Sequence, residues 1–182
     1  MTTIVAVTKG NSSWMGAEQQ TTSNSSIKLR SQPKVMKIGG YLVGSSGPTR
    51  LCDILQVHMP EIEPKPKDIS LRIHLLKTWI TSLREMMSKE GYKKNDKSAD
   101  DFDGLFLVAK AGEICVIFNN FSVWSPEDDY YAIGSGEAFA LGSLETSAML
   151  GVKSPKKRIE LALYSSIKHD VYSGGKLTII KA

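Results

Sequence analysis

The chain contains 182 residues, of which 41% are hydrophobic and 23% are charged, and its formal net charge is +4. This length is typical of one domain that buries a sizeable apolar core, and the composition excludes general disorder. No apolar run approaches the ~18 residues that a membrane-spanning helix requires. The two cysteines, Cys52 and Cys115, are too few for a disulfide framework. We therefore expect an intracellular, cytoplasmic protein.

Neither the N-terminal residues nor the charge distribution indicates a membrane or nucleic-acid partner. The residues after Met1 lack the basic region and cleavage site of a signal peptide. The basic run at 153–158 is typical of a solvated surface, and no aromatic-interleaved basic stripe or recognition module occurs. The three histidines show no metal-ligand spacing. We expect no nucleic acid, no membrane, no metal and no cofactor.

The first third of the chain predicts β-structure. The β-branched run Thr2–Thr8 and the segment Trp14–Gln20 flank a turn, which predicts a hairpin. The polar, serine-rich stretch Thr21–Gln32 predicts a loop. Two short strands, Lys34–Ile38 and Tyr41–Gly44, are predicted on either side of a Gly-Gly turn.

The middle of the chain changes to a helical period. Pro48–His58 predicts one helix, and prolines then interrupt the chain. Ile69–Met87 carries a sustained apolar stripe that predicts a second helix, with Asp68 as its N-cap. The stretch Ser88–Asp103 is dense in Lys, Asp and Gly and predicts an exposed loop.

The last third is predicted to contain three strands, two helices and a closing strand. In chain order these elements are Leu105–Lys110, Glu113–Phe118, Tyr130–Ile133, Ala138–Leu150, Pro155–His169 and Leu177–Ile180. The succession of strands, helices, strands, helices and strand fits two packed sheets with helices on their outer faces. We expect a single domain over residues 1–182.

The start of the chain suggests a nucleophile. Small residues after Met1 allow its removal, which would leave Thr2 with a free α-amine. An N-terminal threonine carries a nucleophilic hydroxyl and a base on one residue. The reference pKa of an α-amine, about 7.7–8.0, is close to the working pH. The same residues also fit an ordinary first strand.

Several short segments follow Thr2 in a defined order and spacing. They are Thr2-Thr3-Ile4-Val5-Ala6-Val7, Gly16-Ala17-Glu18-Gln19-Gln20-Thr21-Thr22, Lys34-Val35-Met36-Lys37-Ile38, Val43-Gly44-Ser45-Ser46-Gly47, Ile133-Gly134-Ser135-Gly136 and Asp170-Val171-Tyr172-Ser173-Gly174. Together they resemble motifs of the β-subunits of the proteasome and of the bacterial HslV peptidase. The length and Gln20 are nearer to HslV, whereas the Asp170–Gly174 segment is nearer to the proteasome.

The resemblance implies an α+β fold, a four-layer αββα sandwich of two antiparallel sheets flanked by helices, as in N-terminal-nucleophile hydrolases. It implies that Thr2 is the nucleophile, with its amine as the base. Lys34 would stabilise the alkoxide, and Glu18, where the family more often has Asp, would pair with Lys34. The backbone N–H of Gly44 would donate to the oxyanion.

The resemblance also implies supporting and substrate-binding residues. Ser135, Asp170 and Ser173 would hold the α-amine and the hydroxyl of Thr2, although Ser135 also fits a helix N-cap. Four residues would shape the substrate pocket, where the substrate adds to the sheet as an extended strand. They are Gln20, Thr22, Ser31 and Ser45. Ser31 and Ser45 make the pocket small and polar, so no sharp preference for acidic residues is expected.

The resemblance implies a threonine-type endopeptidase in a self-compartmentalised homo-oligomeric ring that hydrolyses unfolded polypeptides. Because the sequence contains no Walker loop, an ATP-dependent unfoldase would be a separate chain. Two alternatives remain open at this stage. One is a non-catalytic ring subunit or unprocessed precursor, and the other is a related hydrolase of small amides.

Overall fold

The structure is a computed structural model that describes residues 2–23, 26–91 and 102–182. The strands are β1 (Thr3–Lys9), β2 (Ser12–Ala17), β3 (Gln20–Ser23), β4 (Ser26–Leu29), β5 (Val35–Ile38), β6 (Tyr41–Ser46), β7 (Leu105–Lys110), β8 (Glu113–Ile117), β9 (Val123–Trp124), β10 (Tyr130–Gly134) and β11 (Thr178–Lys181). The helices are α1 (Thr49–Val57), α2 (Leu71–His74), α3 (Ile80–Lys89), α4 (Glu137–Met149) and α5 (Pro155–His169). A π-helical turn, Leu75–Trp79, joins α2 to α3.

Two antiparallel sheets form the centre of the fold. The first sheet has the strand order β10-β1-β2-β11, and the second has the order β5-β6-β7-β8-β9. Strands β3 and β4 form a separate antiparallel pair. Because β1 lies between β10 and β2, its first residues are held on both edges, with Thr3 opposite Gly134 and Ile4 opposite Ala17.

Strand β1 is buried on both faces because its side chains alternate between two cores. Ile4 and Ala6 belong to the core between the two sheets. Val5 and Val7 belong to the core between the first sheet and helices α4 and α5. An uninterrupted apolar run is what a strand covered on both sides requires.

The remaining helices cover the second sheet. Residues of α1, α2 and α3 pack on its outer face around Trp79, which is 1% exposed. Helices α4 and α5 pack against each other and on the first sheet. The layer order is therefore helices, sheet, sheet, helices, and the predicted four-layer arrangement is confirmed. In the described parts of the chain, no helix has the length and apolar character that crossing a membrane requires.

Three predicted elements differ from the structure. The predicted loop Thr21–Gln32 is wrong where β3 and β4 pair, with Thr22 opposite Ile27. The N-cap before α2 is Ser70, whose hydroxyl accepts from the N–H of Ile73, and not Asp68. The predicted loop Ser88–Asp103 begins two residues too early, since α3 continues to Lys89, and residues 92–101 of this prediction lie outside the described ranges.

Candidate active site

Two glycines let the chain after β10 approach the start of β1. Gly134 has φ +106°, and a Cβ there would lie 1.9 Å from the carbonyl oxygen of Thr2. A Cβ on Gly136 would lie 2.1 Å from Oγ1 of Thr3. Between them, the N–H of Ser135 donates to the Thr2 carbonyl at 2.8 Å. The Gly-Ser-Gly sequence thus fixes the backbone of Thr2 in a way that a residue with a Cβ would prevent.

The hydroxyl of Thr2 lies between a buried cation and a buried anion. It accepts a hydrogen bond from Nζ of Lys34 and donates one to Oε1 of Glu18. The same carboxylate oxygen is 2.6 Å from Lys34 Nζ. All three residues are at most 3% exposed. A hydroxyl that donates to a carboxylate and accepts from an ammonium is oriented and polarised for nucleophilic attack.

Backbone N–H groups hold the Glu18 carboxylate in place. Oε1 also accepts from Thr3 at 3.1 Å, and Oε2 accepts from Gln20 at 2.5 Å and from Gly174 at 3.1 Å. The loop that follows α5 approaches the site closely at Gly174, where a Cβ would lie 2.2 Å from Oε1 of Gln20. Charge-assisted hydrogen bonds of this kind stabilise a buried carboxylate.

Lys34 is the buried cation of the site. Besides Thr2 and Glu18, its Nζ donates to the carbonyl oxygen of Gln20 at 2.5 Å. Burial lowers the pKa of Lys34 below the ordinary value, and the neighbouring Glu18 carboxylate opposes this shift. Lys34 therefore loses its proton at a lower pH than a surface lysine does, although the ion pair with Glu18 favours its charged form.

A second hydrogen-bond network supports the backbone of Thr2 and Thr3 from the other side. Oδ2 of Asp170 accepts from the hydroxyl of Ser135 at 2.7 Å and from that of Ser173 at 2.8 Å. Ser173 Oγ in turn lies 2.7 Å from Oγ1 of Thr3. The structure therefore brings the predicted residues Ser135, Asp170 and Ser173 together beside Thr2.

The position of Gly44 does not support its predicted role as an oxyanion donor. Gly44 lies in the middle of β6, opposite Val35 on one side and Leu107 on the other. The N–H of the next residue, Ser45, donates towards β5, so alternation along the strand directs the N–H of Gly44 into the ladder with β7. A glycine is needed here because a Cβ would lie 2.9 Å from Ile4 Cγ2.

The glycine at which the chain turns after β6 is Gly47. It directly follows β6, has φ +147°, and a Cβ there would lie 2.6 Å from the carbonyl oxygen of Asp103. The position of Gly44 inside the ladder follows from strand register, which a run of small residues does not reveal.

The predicted pocket residues do not all meet. Gln20 and Thr22 are joined by a hydrogen bond of 3.1 Å, and the Gln20 amide also donates to the carbonyl of Val171 at 2.8 Å. Ser31 is exposed. Ser45 is fully buried, and its hydroxyl donates to Cys52 Sγ of α1 at 3.4 Å. Substrate contacts of Ser31 and Ser45 therefore stay predictions.

Three residues without a predicted role lie close to Thr2 or to the groups that hold it. They are Thr3, Ser46 and Gly174. Alternation along β6 could have found Ser46, because Leu42, Gly44 and Ser46 share the face that looks towards the first sheet. In the described residues, no group of His, Cys, Asp and Glu side chains is arranged to hold a metal ion.

Two curated proteins resemble this chain over almost its whole length. No protein-family model matches the chain. The ATP-dependent protease subunit HslV of Treponema denticola is 27% identical over 97% of this chain and 93% of its own length. The ATP-dependent protease subunit HslV of Caldicellulosiruptor saccharolyticus is 25% identical over 99% of this chain and 97% of its own length.

Solved structures share the fold. BPH of Thiobacillus denitrificans, in complex with epoxomicin, has a TM-score of 0.80 and 17% identity and covers 99% of this chain and 97% of its own. The eukaryotic HslV of Trypanosoma brucei has a TM-score of 0.70 and 21% identity, with 98% of both chains covered.

Proposed function

We infer that this chain, which belongs to the family of HslV and proteasome β-subunits, is a threonine peptidase subunit of a proteasome-like compartment. One observation carries this conclusion. The hydroxyl of Thr2 is hydrogen-bonded to both members of a buried ion pair, Lys34 and Glu18. Relatives that match almost the whole chain are named ATP-dependent protease subunits, which supports the same activity.

We propose that removal of Met1 frees the α-amine of Thr2. Oγ1 of Thr2 then attacks the substrate carbonyl carbon, and the hydroxyl proton passes to the amine. When the tetrahedral intermediate collapses, the amine returns this proton to the leaving nitrogen and an ester on Thr2 remains. Water, deprotonated by the same amine, hydrolyses the ester, so that a carboxylic acid leaves and Thr2 is restored.

The ion pair serves the attack step. The Lys34 ammonium, hydrogen-bonded to Oγ1 of Thr2, stabilises the negative charge that develops there. Glu18 keeps the ammonium in place and offsets the cost of its burial. The network of Asp170, Ser135 and Ser173 holds the backbone of the nucleophile rigid.

We propose that the subunit forms a ring and works with an ATPase unfoldase; its relatives are named subunits of an ATP-dependent protease. We propose further that the ring is homo-oligomeric, that its substrates are unfolded polypeptides, and that residues 1–182 fold as one domain. We also propose a cytoplasmic location, with no nucleic-acid or membrane partner. Neither alternative is favoured: relatives named protease subunits oppose a small-amide hydrolase, and the intact Thr2–Lys34–Glu18 arrangement opposes a non-catalytic subunit.

Hydrolysis of an unfolded protein by the purified assembly tests the proposal. Thr2→Ala is expected to abolish cleavage, because no other hydroxyl lies between Lys34 and Glu18 in the described residues. Thr8→Ala is the matched control, since Thr8 lies in the same strand and its hydroxyl donates to the carbonyl of Asp129, away from the site. Equal cleavage by wild type and Thr2→Ala would overturn the proposal.

A further inference from the structure

Ser46 lies at the end of β6, close to the backbone of Thr2. It is 7% exposed, and the alternation of β6 places it on the face that looks towards the first sheet. A Cβ on Gly134 would lie 2.9 Å from Ser46 Oγ and 1.9 Å from the carbonyl oxygen of Thr2. The hydroxyl of Ser46 and the carbonyl oxygen of Thr2 therefore both lie next to Gly134.

The hydroxyl of Ser46 has no hydrogen-bond partner among residues 2–23, 26–91 and 102–182. The other serines of the region are bonded: Ser45 to Cys52, and Ser135 and Ser173 to Asp170. A buried hydroxyl without a partner costs about 1–3 kcal/mol. A group of this kind in a native fold calls for an explanation, and a partner that is present only during the reaction supplies one.

We propose that the Ser46 hydroxyl donates a hydrogen bond to the oxyanion of the tetrahedral intermediate on Thr2. This inference rests on the proposed peptidase function. As the bond forms between Thr2 Oγ1 and the substrate carbonyl carbon, the carbonyl π electrons move to oxygen, which becomes negative. Ser46 keeps its proton and stabilises this charge. When the C–N bond breaks, the charge returns to the carbonyl and the hydrogen bond weakens.

Three other polar groups near Thr2 are already engaged. Lys34 donates to Oγ1 of Thr2 itself, the N–H of Ser135 donates to the Thr2 carbonyl, and the N–H of Gly44 faces β7. Ser46 is free to donate and lies in a site from which water is largely excluded. Donors in such sites stabilise developing charge far more than they do in water.

Acylation by a threonine-directed β-lactone, followed by intact mass, tests Ser46→Ala against wild type. The lactone carbonyl passes through the same type of oxyanion, so the maximal acylation rate is expected to fall on the order of 100-fold. The lactone concentration for half-maximal rate should change little. Because the lost hydroxyl has no partner, the melting temperature should stay equal or rise. Ser13→Ala is the control, as Ser13 is a buried serine that accepts from Gly112 at the opposite end of β2.

A maximal acylation rate of Ser46→Ala within twofold of wild type would overturn the inference while leaving the peptidase function intact. A lower melting temperature with an equal loss of rate in Ser13→Ala would also overturn it, because the effect would then be structural. If wild-type protein freed of Met1 is not acylated at all, the proposed function itself fails and this inference fails with it.

Discussion

Replacing Glu18 with glutamine removes the anion of the buried pair while keeping the side chain's shape. Both carboxylate oxygens of Glu18 accept hydrogen bonds, Oε1 from Thr2, Thr3 and Lys34 and Oε2 from backbone N–H groups. Whichever way the amide of Gln is turned, its NH₂ group faces donors. Lys34 is also left as a buried cation without its partner. We expect Glu18→Gln to lower the free energy of unfolding at pH 7 by about 3–5 kcal/mol.

The loss should depend on pH in a defined direction. Burial lowers the pKa of Lys34, and Glu18 opposes this shift, so the pKa of Lys34 in Glu18→Gln lies lower still. Between that value and the ordinary lysine pKa of the unfolded chain, the unfolded chain holds more protons, and stability rises with pH. The deficit is therefore largest at a pH below the folded pKa of Lys34 in the variant, and it shrinks as the pH rises through that value towards the folded pKa of Lys34 in the wild type.

Urea unfolding followed by tryptophan fluorescence, at pH 7 and pH 10 and at one protein concentration, measures both effects. Glu160→Gln is the control, because Glu160 faces Lys157 at 3.6 Å in a partly exposed pair of α5 and its loss should cost less than about 0.5 kcal/mol. If Glu18→Gln cost no more than this control at pH 7, or if its deficit grew at pH 10, the reasoning about the buried pair would be refuted.

Three further outcomes follow from the geometry. Gly134→Ala should lower the free energy of unfolding by more than about 3 kcal/mol, because φ is +106° there and the new Cβ would collide with the Thr2 carbonyl. Gly142→Ala in α4 should raise it by about 0.5–1 kcal/mol, because nothing lies within 4 Å of the new Cβ. Thermal melts that rank the two variants otherwise would contradict this. As the pH rises, peptidase activity should fall when Lys34 loses its proton, and this should occur below the ordinary pKa of lysine. A Lys34→Arg variant that is active should keep its activity to higher pH, because arginine stays protonated. A pH–rate profile in which both proteins lose activity at the same alkaline pH would contradict this. Burial raises the pKa of the Cys115 thiol to about 11, so iodoacetamide at pH 8 should not label it in the folded protein but should label it in urea; rapid labelling in the folded state would count against its burial.

Local sequence signals predicted most of the fold. Helix α5 has the predicted bounds Pro155–His169, because Ser154 caps it and Pro155 occupies its first turn. The β-branched run Thr2–Thr8 predicted a strand, and β1 occupies Thr3–Lys9. Strands β3 and β4 were missed because most of their residues are polar, and because the apolar Ile27 and Leu29 are exposed rather than packed in a core.

The candidate site was predictable in its residue types more than in its geometry. The resemblance identified Thr2, Lys34 and Glu18, and the structure places their polar atoms within hydrogen-bond distance. It gave no warning that Gly44 would lie inside a three-strand ladder or that Ser46 would lie close to the backbone of Thr2. Both facts depend on which face of β6 each residue occupies, and this is set by pairing with strands distant in sequence.

The central claim is that Thr2, freed of Met1, is the reactive nucleophile. Intact mass of the purified protein before and after treatment with a threonine-directed β-lactone, with the adduct located by peptide mapping, tests this most directly. We predict a starting mass without Met1 and the gain of one adduct on Thr2. A protein freed of Met1 that gains no adduct, or that carries the adduct on a different residue, would contradict the account.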